Sequence, residues 1–205
     1  GGTIAAYAKL REIPILHTVH NTHTGHVPLD MFFGINIDRL RDMLYFSTEY
    51  GRHCIDCQAT AIKNATKISY VGRTFLREII DDYFIDRPII PWSVRQETKA
   101  KFYTDSALVI PNGVSPSMYP EKQAENPDFD KPGLAKKYSP DDDVVAAKKA
   151  NLVKFQKKTG LNVDPEAILL YWPSRLDASQ KGIELLEHIA QHFVYLHPEV
   201  QIAVI

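Results

Sequence analysis

The chain has 205 residues, of which 44% are apolar and 24% charged, and its 24 basic and 25 acidic residues give a formal net charge of −1. This composition predicts a folded protein with a buried core and excludes a disordered tail or a basic nucleic-acid-binding arm. No segment approaches the roughly 18 uninterrupted apolar residues of a membrane span, and residues 1–12 lack the pattern of a signal peptide. We therefore expect neither a nucleic-acid partner nor a membrane partner.

The first half of the chain alternates between helical and strand-like patterns. Residues 13–19 form a short apolar run that is typical of a buried strand. The predicted helices span residues 3–11, 54–65 and 73–84, and the other predicted strands span residues 67–71 and 107–111. Because such alternation is typical of βαβ units, we predict an α/β fold with a parallel sheet covered by helices.

The second half begins with a proline-rich segment, residues 114–140, which we interpret as a connector between two domains. Aspartates at 141–143 are typical of a helix N-cap and Gly160 of a helix end, which predicts a helix over residues 144–159. A strand at 167–172, a helix at 183–196 and a strand at 200–205 follow. The apolar face predicted for the later helix consists of Ile183, Leu186, Ile189, Ala190 and Phe193.

The two cysteines, Cys54 and Cys57, form an isolated C-x-x-C pair. A structural zinc site needs about four ligands, and no second pair follows. We predict that both thiols lie on one face of the helix at 54–65 and have a packing role, with redox chemistry as the alternative. Low cysteine usage fits a cytoplasmic location.

Four histidines recur at every third position, at residues 17, 20, 23 and 26. Three-residue spacing aligns side chains on a helix, whereas a strand sends them to opposite faces, so we expect no shared metal site. His20 and Asn21 stand where the first strand becomes a loop. Ligands of open α/β sheets bind beyond the carboxyl ends of the strands, which makes these two residues candidates for a binding site.

A second candidate site follows the strand at 167–172. Arg175 and Lys181 lie in the next loop, and Lys181 with Gly182 opens a helix whose free N–H groups and dipole favour an anion. This arrangement would suit a diphosphate, although solvated surface charge explains the same residues equally well. Glycine-rich nucleotide-binding motifs do not occur, which disfavours dehydrogenases and P-loop NTPases. Asn112 could reach a ligand from the end of its strand, but an ordinary turn asparagine is the simpler explanation.

Three segments carry a family resemblance. They are Thr-Val-His-Asn at 18–21 followed by Gly25, Pro-Asn-Gly-Val at 111–114 followed by Tyr-Pro at 119–120, and Pro-Ser-Arg-Leu at 173–176 running to Gln-Lys-Gly at 180–182. In this order they resemble the bacterial glycogen synthase and plant starch synthase family (glycosyltransferase family 5). Residues 61–79 also look like the helix, strand and helix that follow the histidine motif in that family.

The resemblance implies a GT-B fold, with two Rossmann-like parallel-sheet domains that are both incomplete here. Residues 1–113 would be part of the acceptor-side domain, 114–160 a connector and helix, and 161–205 the start of the domain that binds the nucleotide-sugar. It also implies retaining, metal-independent transfer of glucose from ADP-glucose or UDP-glucose to an α-1,4-glucan, with no further cofactor. The chain would be a central piece that is inactive by itself.

The resemblance assigns roles to particular residues. His20, Arg175 and Lys181 would be catalytic, with the two cations gripping the diphosphate of the donor. Asn21, Asn112, Gly113 and Gly182 would bind substrate.

Three positions depart from the family pattern. The chain has one residue more than usual between Arg175 and Lys181, Ser115 replaces the usual aspartate after Asn-Gly-Val, and Val-Gly-Arg at 71–73 replaces Val-Ser-Pro/Ser. Three alternatives stay open, and the first two are another retaining GT-B enzyme with a different acceptor and a non-catalytic glucan-binding remnant. A metal protein built on the histidines and cysteines is a third.

Overall fold

The computed structural model describes residues 2–32, 34, 36–86, 89–176 and 181–204. The chain forms two compact units, a first unit at Gly1–Gly113 and a second unit at Val114–Ile205. The helices are α1 Gly2–Leu10, α2 Cys57–Asn64, α3 Arg73–Ile80, α4 Trp92–Tyr103, α5 Val144–Thr159 and α6 Ile183–Leu196. The strands are β1 Leu16–Val19, β2 His26–Pro28, β3 Phe46–Glu49, β4 Arg52–Asp56, β5 Lys67–Tyr70, β6 Ala107–Val109, β7 Ile168–Trp172 and β8 Val200–Val204. Within those ranges, no helix is long and apolar enough to span a membrane.

The first unit contains a parallel sheet with the strand order β1–β5–β6. Val19 on β1 lies opposite Tyr70 on β5, which in turn lies opposite Val109 on β6. The core around this sheet consists of buried residues from its strands, its helices and the segments next to them, namely Val19, Ile62, Ala65, Ile68, Tyr70, Leu76, Ile79, Ile90 and Val94. Helix α2 lies on the path from β1 to β5, and helices α3 and α4 lie on the path from β5 to β6, as a βαβ arrangement requires.

A smaller antiparallel sheet, in the order β2–β4–β3, is inserted between β1 and α2. Strands β3 and β4 form a hairpin through Tyr50 and Gly51, whose φ angles of 50° and 75° are both positive, as a tight hairpin turn requires. This sheet corrects the prediction of a single helix over residues 54–65. Cys54 is buried in β4, whereas Cys57 is the first residue of α2, so the two thiols do not share a helix face. Both are free cysteines.

The second unit contains β7, α6 and β8, and its two strands pair in parallel from Ile168 opposite Val200 to Trp172 opposite Val204. Helix α5 is tied to these strands by two consecutive side chains. The Phe155 ring makes an edge contact with Tyr171 at 5.7 Å, and the Gln156 Nε2 donates to the Gln201 Oε1 at 3.0 Å. Thus α5, which we grouped with the connector, packs against the strands that follow it.

The segment before α5 has little regular structure, with two short 3₁₀ turns at Pro116–Met118 and Pro120–Lys122. The buried Lys154 of α5 holds this segment by donating to the carbonyls of Asn126 at 2.6 Å and Gly133 at 2.8 Å. The predicted caps of α5 are confirmed. Asp143 accepts from the backbone N–H of Ala146, and Gly160 ends the helix in the left-handed conformation.

Candidate functional site

The carboxyl ends of β1, β5 and β6 meet at one edge of the sheet, because the three strands run parallel. His20 and Asn21 directly follow β1 at this edge, and Asn112 and Gly113 follow β6. All four residues are exposed. Since β5 separates the two outer strands, the loops leave the sheet roughly 10 Å apart at a strand spacing of about 4.8 Å. The structure therefore brings the first unit's predicted site residues to a single edge.

Hydrogen bonds hold the loop that carries His20 and Asn21. Thr22 is buried, and its hydroxyl donates to the Ile89 carbonyl at 3.2 Å. The Asn21 side chain accepts from the backbone N–H of His23 at 3.1 Å, while the Asn21 carbonyl accepts from the Gln58 side chain at 3.4 Å. An exposed imidazole thus stands on a loop whose backbone is tied down on both sides.

The strongest anchor of this loop is a carboxylate that our sequence reasoning missed. Asp56 is 2% exposed, caps α2 by accepting from the Ala59 N–H at 2.9 Å, and accepts the hydroxyl of Ser93 at 2.5 Å. It also accepts the hydroxyl of Thr24. Because Thr24 follows the His20 loop and Ser93 lies in the first turn of α4, one buried side chain joins that loop, α2 and α4. An aspartate directly before a helix start is the signal that could have revealed it.

The four histidines lie in different surroundings. His17 is half-buried on β1, and burial lowers the pKa of its imidazole. His20 and His23 are exposed, and His26 is hydrogen-bonded to Ser47 at 2.8 Å. Among the residues that the structure describes, no group of three or more His, Cys, Asp or Glu side chains is placed to hold a metal ion.

In the second unit, the candidate residues lie between β7 and α6. Arg175 is exposed three residues after the end of β7, and Lys181 is exposed directly before Gly182. Residues 177–180, which include the extra residue of the loop and Gln180 of the third motif, lie outside the described part of the chain. The described residues place both cations on the connection between the carboxyl end of β7 and the amino end of α6.

The amino end of α6 has the features of an anion site. Gly182 is its N-cap residue, with a φ of 66° that favours glycine, and no side chain caps the helix there. None of the described residues caps the N–H groups of the first turn with its side chain, and these groups combine with the positive end of the helix dipole. A helix end of this kind beside two cations can bind a phosphate group.

Comparison with solved structures relates the whole chain to a known fold. The catalytic domain of starch synthase IV from Arabidopsis thaliana, bound to ADP and acarbose, matches 100% of this chain with a TM-score of 0.71 and 19% sequence identity. The chain has an α/β fold of the GT-B type. The starch synthase family to which the motifs pointed is thus also the family of this structural neighbour. No family model and no curated protein sequence matches the chain.

The chain covers 40% of the length of the starch synthase IV structure. At 19% identity the likeness shows the fold, and the roles of His20, Asn112, Arg175 and Lys181 remain predictions. The fold nevertheless fits their positions, because open α/β sheets bind ligands beyond the carboxyl ends of their strands.

Proposed function

We propose that this chain is part of a retaining glucosyltransferase that elongates an α-1,4-glucan from ADP-glucose or UDP-glucose. One observation carries the proposal, namely the match of the entire chain to a starch synthase catalytic domain. That protein was solved with ADP and with acarbose. The three sequence motifs, which were identified without the structure, favour the same class of enzyme.

We assign the sugar side of the donor to the first unit. His20 and Asn21 would contact the glucosyl group that is transferred, and Asn112 with Gly113 would bind substrate from the end of β6. This assignment draws support from the exposure of all four residues and from the bonds that fix the His20 loop. An imidazole on a fixed backbone is held in one place at little further entropic cost when substrate binds.

We assign the diphosphate side of the donor to the second unit. Arg175, Lys181 and the N–H groups that follow Gly182 would hold the two phosphates. In the reaction, the bond between the glucosyl carbon and the diphosphate breaks, a bond from that carbon to the oxygen of the 4-hydroxyl at the glucan end forms, and the proton of that hydroxyl is released. Negative charge develops on the departing diphosphate, and fixed cations and N–H donors stabilise that charge in the transition state.

The assignment of Lys181 is tested by glucose transfer in the protein that contains this chain. Replacing Lys181→Ala should lower kcat by about a hundredfold or more, as expected when one charge-stabilising donor is lost. The matched control is Lys157→Ala, which removes an exposed lysine from the last turn of α5 in the same unit. Transfer of labelled glucose from ADP-glucose to maltotetraose is the measurement. Unchanged kinetics in the Lys181 variant would contradict the assignment.

Binding experiments separate the proposed enzyme from a glucan-binding module. Calorimetric titrations with ADP, UDP and maltotetraose should show nucleotide binding if the chain is part of a transferase. If the chain binds maltotetraose but neither ADP nor UDP, this result would contradict the proposal and identify a carbohydrate-binding module.

A further inference from the structure

A pocket of about 730 Å³ lies in the first unit between the antiparallel sheet and the start of α4. Its volume is within the range of about 300–1,000 Å³ that is usual for sites of small ligands. The described residues that line it do not include His20, Asn21, Asn112 or Gly113. It is therefore a separate feature from the edge of the parallel sheet.

One wall of the pocket is a polar face of the antiparallel sheet. Tyr45, Ser47 and Glu49 alternate along β3 and the residue before it, so their side chains lie on the same face. His26 of β2 reaches across the middle strand to this row. Its Nδ1 is 2.8 Å from the Ser47 hydroxyl, and its Nε2 is 3.5 Å from the Glu49 carboxylate.

The opposite wall is formed by α4 and by the segment before it. Trp92 is the first residue of α4, lines the pocket and is 63% exposed, so a large indole surface is left uncovered. Asp86 lies on the same side and is also exposed. The pocket thus combines one flat aromatic surface with hydroxyl, imidazole and carboxylate groups.

The charged groups deep in the pocket are already engaged within the protein. The Asp56 carboxylate accepts from Ala59, Ser93 and Thr24. Among the described lining residues Arg95 is the one permanent cation. Its guanidinium donates to the carbonyls of Ile79 at 3.0 Å and Tyr83 at 2.8 Å and to Asp82 at 3.2 Å. Among the described lining residues no cation is left for a phosphate, and the carboxylates of Glu49 and Asp86 also line the pocket, so these groups disfavour an anionic ligand.

The remaining groups offer both kinds of hydrogen-bonding partner. Burial raises the pKa of the Tyr45 phenol, and the nearby carboxylates of Glu97 and Asp56 raise it further, so this hydroxyl stays protonated and can donate. Glu49 and Asp86 can accept. Sugar rings carry hydroxyls that both donate and accept around an apolar C–H face, and that face fits an aromatic plane.

We propose that this pocket binds neutral glucose units of an α-glucan chain, with Trp92 stacking on a sugar ring and Glu49, Asp86 and Tyr45 bonding its hydroxyls. The choice of an α-glucan rests on the proposed function. The preference for an uncharged polyhydroxyl ligand rests on the pocket itself. The site would hold acceptor chain at a distance from the point of transfer.

The test is calorimetric titration of this chain with maltotetraose. Trp92→Ala should weaken binding about tenfold or more, since stacking on an exposed aromatic plane is lost. The control is Tyr103→Ala, which removes another exposed aromatic residue of the same helix, 72% exposed and outside the pocket. Glu49→Gln provides an independent variant and should also weaken binding, while circular dichroism checks that each variant is folded.

Loss of affinity in both pocket variants, with unchanged affinity in the control, would support the site. Equal affinity in Trp92→Ala and the parent chain, or no binding of maltotetraose at all, would overturn it. Tetramethylammonium serves as a competitor, because a cation could also stack on Trp92 beside two carboxylates. Tighter binding of this cation than of maltotetraose would overturn the carbohydrate assignment.

A titration with ADP distinguishes this inference from the proposed function. If ADP binds and the affinity for maltotetraose does not depend on Trp92, then the pocket is wrongly assigned while the transferase proposal stands. If maltotetraose binding depends on Trp92 and neither ADP nor UDP binds, then the pocket stands and the transferase proposal fails.

Discussion

The two units of the chain use similar elements but bury them to different extents. In the first unit, residues from β1, β5, α2, α3 and α4 are almost fully buried together, and residues of β6 pack against them. In the described part of the second unit, the buried apolar residues are Ala147 and Val200, and α6 has no buried residue. Both units thus contain helices and paired strands, whereas close apolar packing is found in the first unit and not in the described part of the second.

This difference affects what each unit can contribute to a binding site. In the first unit, the loop after β1 is fixed through buried polar groups such as Asp56 and Thr22. In the second unit, Arg175 and Lys181 are exposed, and Lys181 directly precedes the N-cap residue of α6. Both sides of a transferase site need groups that are held in place in the transition state, and the described residues show such anchoring for the first unit.

The largest effect on the free energy of unfolding is expected from the substitution of matched isoleucines on parallel strands. Ile68 on β5 is fully buried, and Ile168 on β7 is 53% exposed. Ile68→Ala should lower the free energy of unfolding by about 2–5 kcal/mol because it leaves a cavity in the core. Ile168→Ala should change it by less than about 1 kcal/mol. Urea unfolding of both variants is the measurement, and equal losses would contradict the contrast between the units.

The next largest effect on the free energy of unfolding is expected from the substitution of the two aspartates that cap helices. Asp56 caps α2 from a buried position and Asp143 caps α5 from an exposed one. Asp143→Ala should cost about 1 kcal/mol, as is usual for a lost N-cap. Asp56→Ala should cost about 2–4 kcal/mol, because it also leaves buried donors without an acceptor. If thermal unfolding gave the two variants the same loss, then Asp56 would be an ordinary cap and not the anchor of the His20 loop.

The smallest effect concerns the pH dependence of the stability of the first unit. Burial lowers the pKa of His17 from its ordinary 6.5, and the buried ring Nε2 finds no hydrogen-bond partner among the described residues. Below pH 6.5 the unfolded chain therefore binds more protons at this position than the folded chain. The contribution of neutral His17 to the free energy of unfolding is therefore complete above pH 6.5, and it declines as the pH falls toward the lowered pKa of His17 in the folded state.

His17→Leu lacks this titration, so its stability should fall less than that of the parent chain between about pH 7.5 and 5.5. Urea midpoints at several pH values measure the difference in slope. Parallel pH profiles would show that His17 makes no contribution to acid sensitivity.

Much of the fold could be predicted from local patterns in the sequence. The helix at Ile183–Leu196 has the predicted bounds, and β5 and the capped helix α5 lie where the residues indicated. Helix α4 was not predicted from the sequence, because its buried face consists mostly of polar residues, including Ser93, Arg95 and Thr98. The aromatic residues at its two ends are exposed. Hydrophobic periodicity cannot reveal a face of that kind.

Other errors have the same origin in tertiary contacts. Cys54 belongs to β4 because the hairpin at Tyr50–Gly51 pairs it with β3, a partner that the local pattern does not show. Ile189, predicted on the apolar face of α6, is 55% exposed. For the candidate site, topology alone predicts that His20 and Asn112 meet at one sheet edge. The pocket beside Trp92 could not be predicted, since it requires the antiparallel sheet to lie opposite α4.

The most direct measurement is the affinity of this chain for ADP, determined by calorimetry before and after Lys181→Ala. The account predicts that the parent chain binds ADP and that the substitution weakens binding about tenfold or more, because a charge-assisted contact to the diphosphate is lost. The Lys157→Ala control should bind as the parent chain does. Equal ADP affinity in the parent chain and the Lys181 variant would contradict the account.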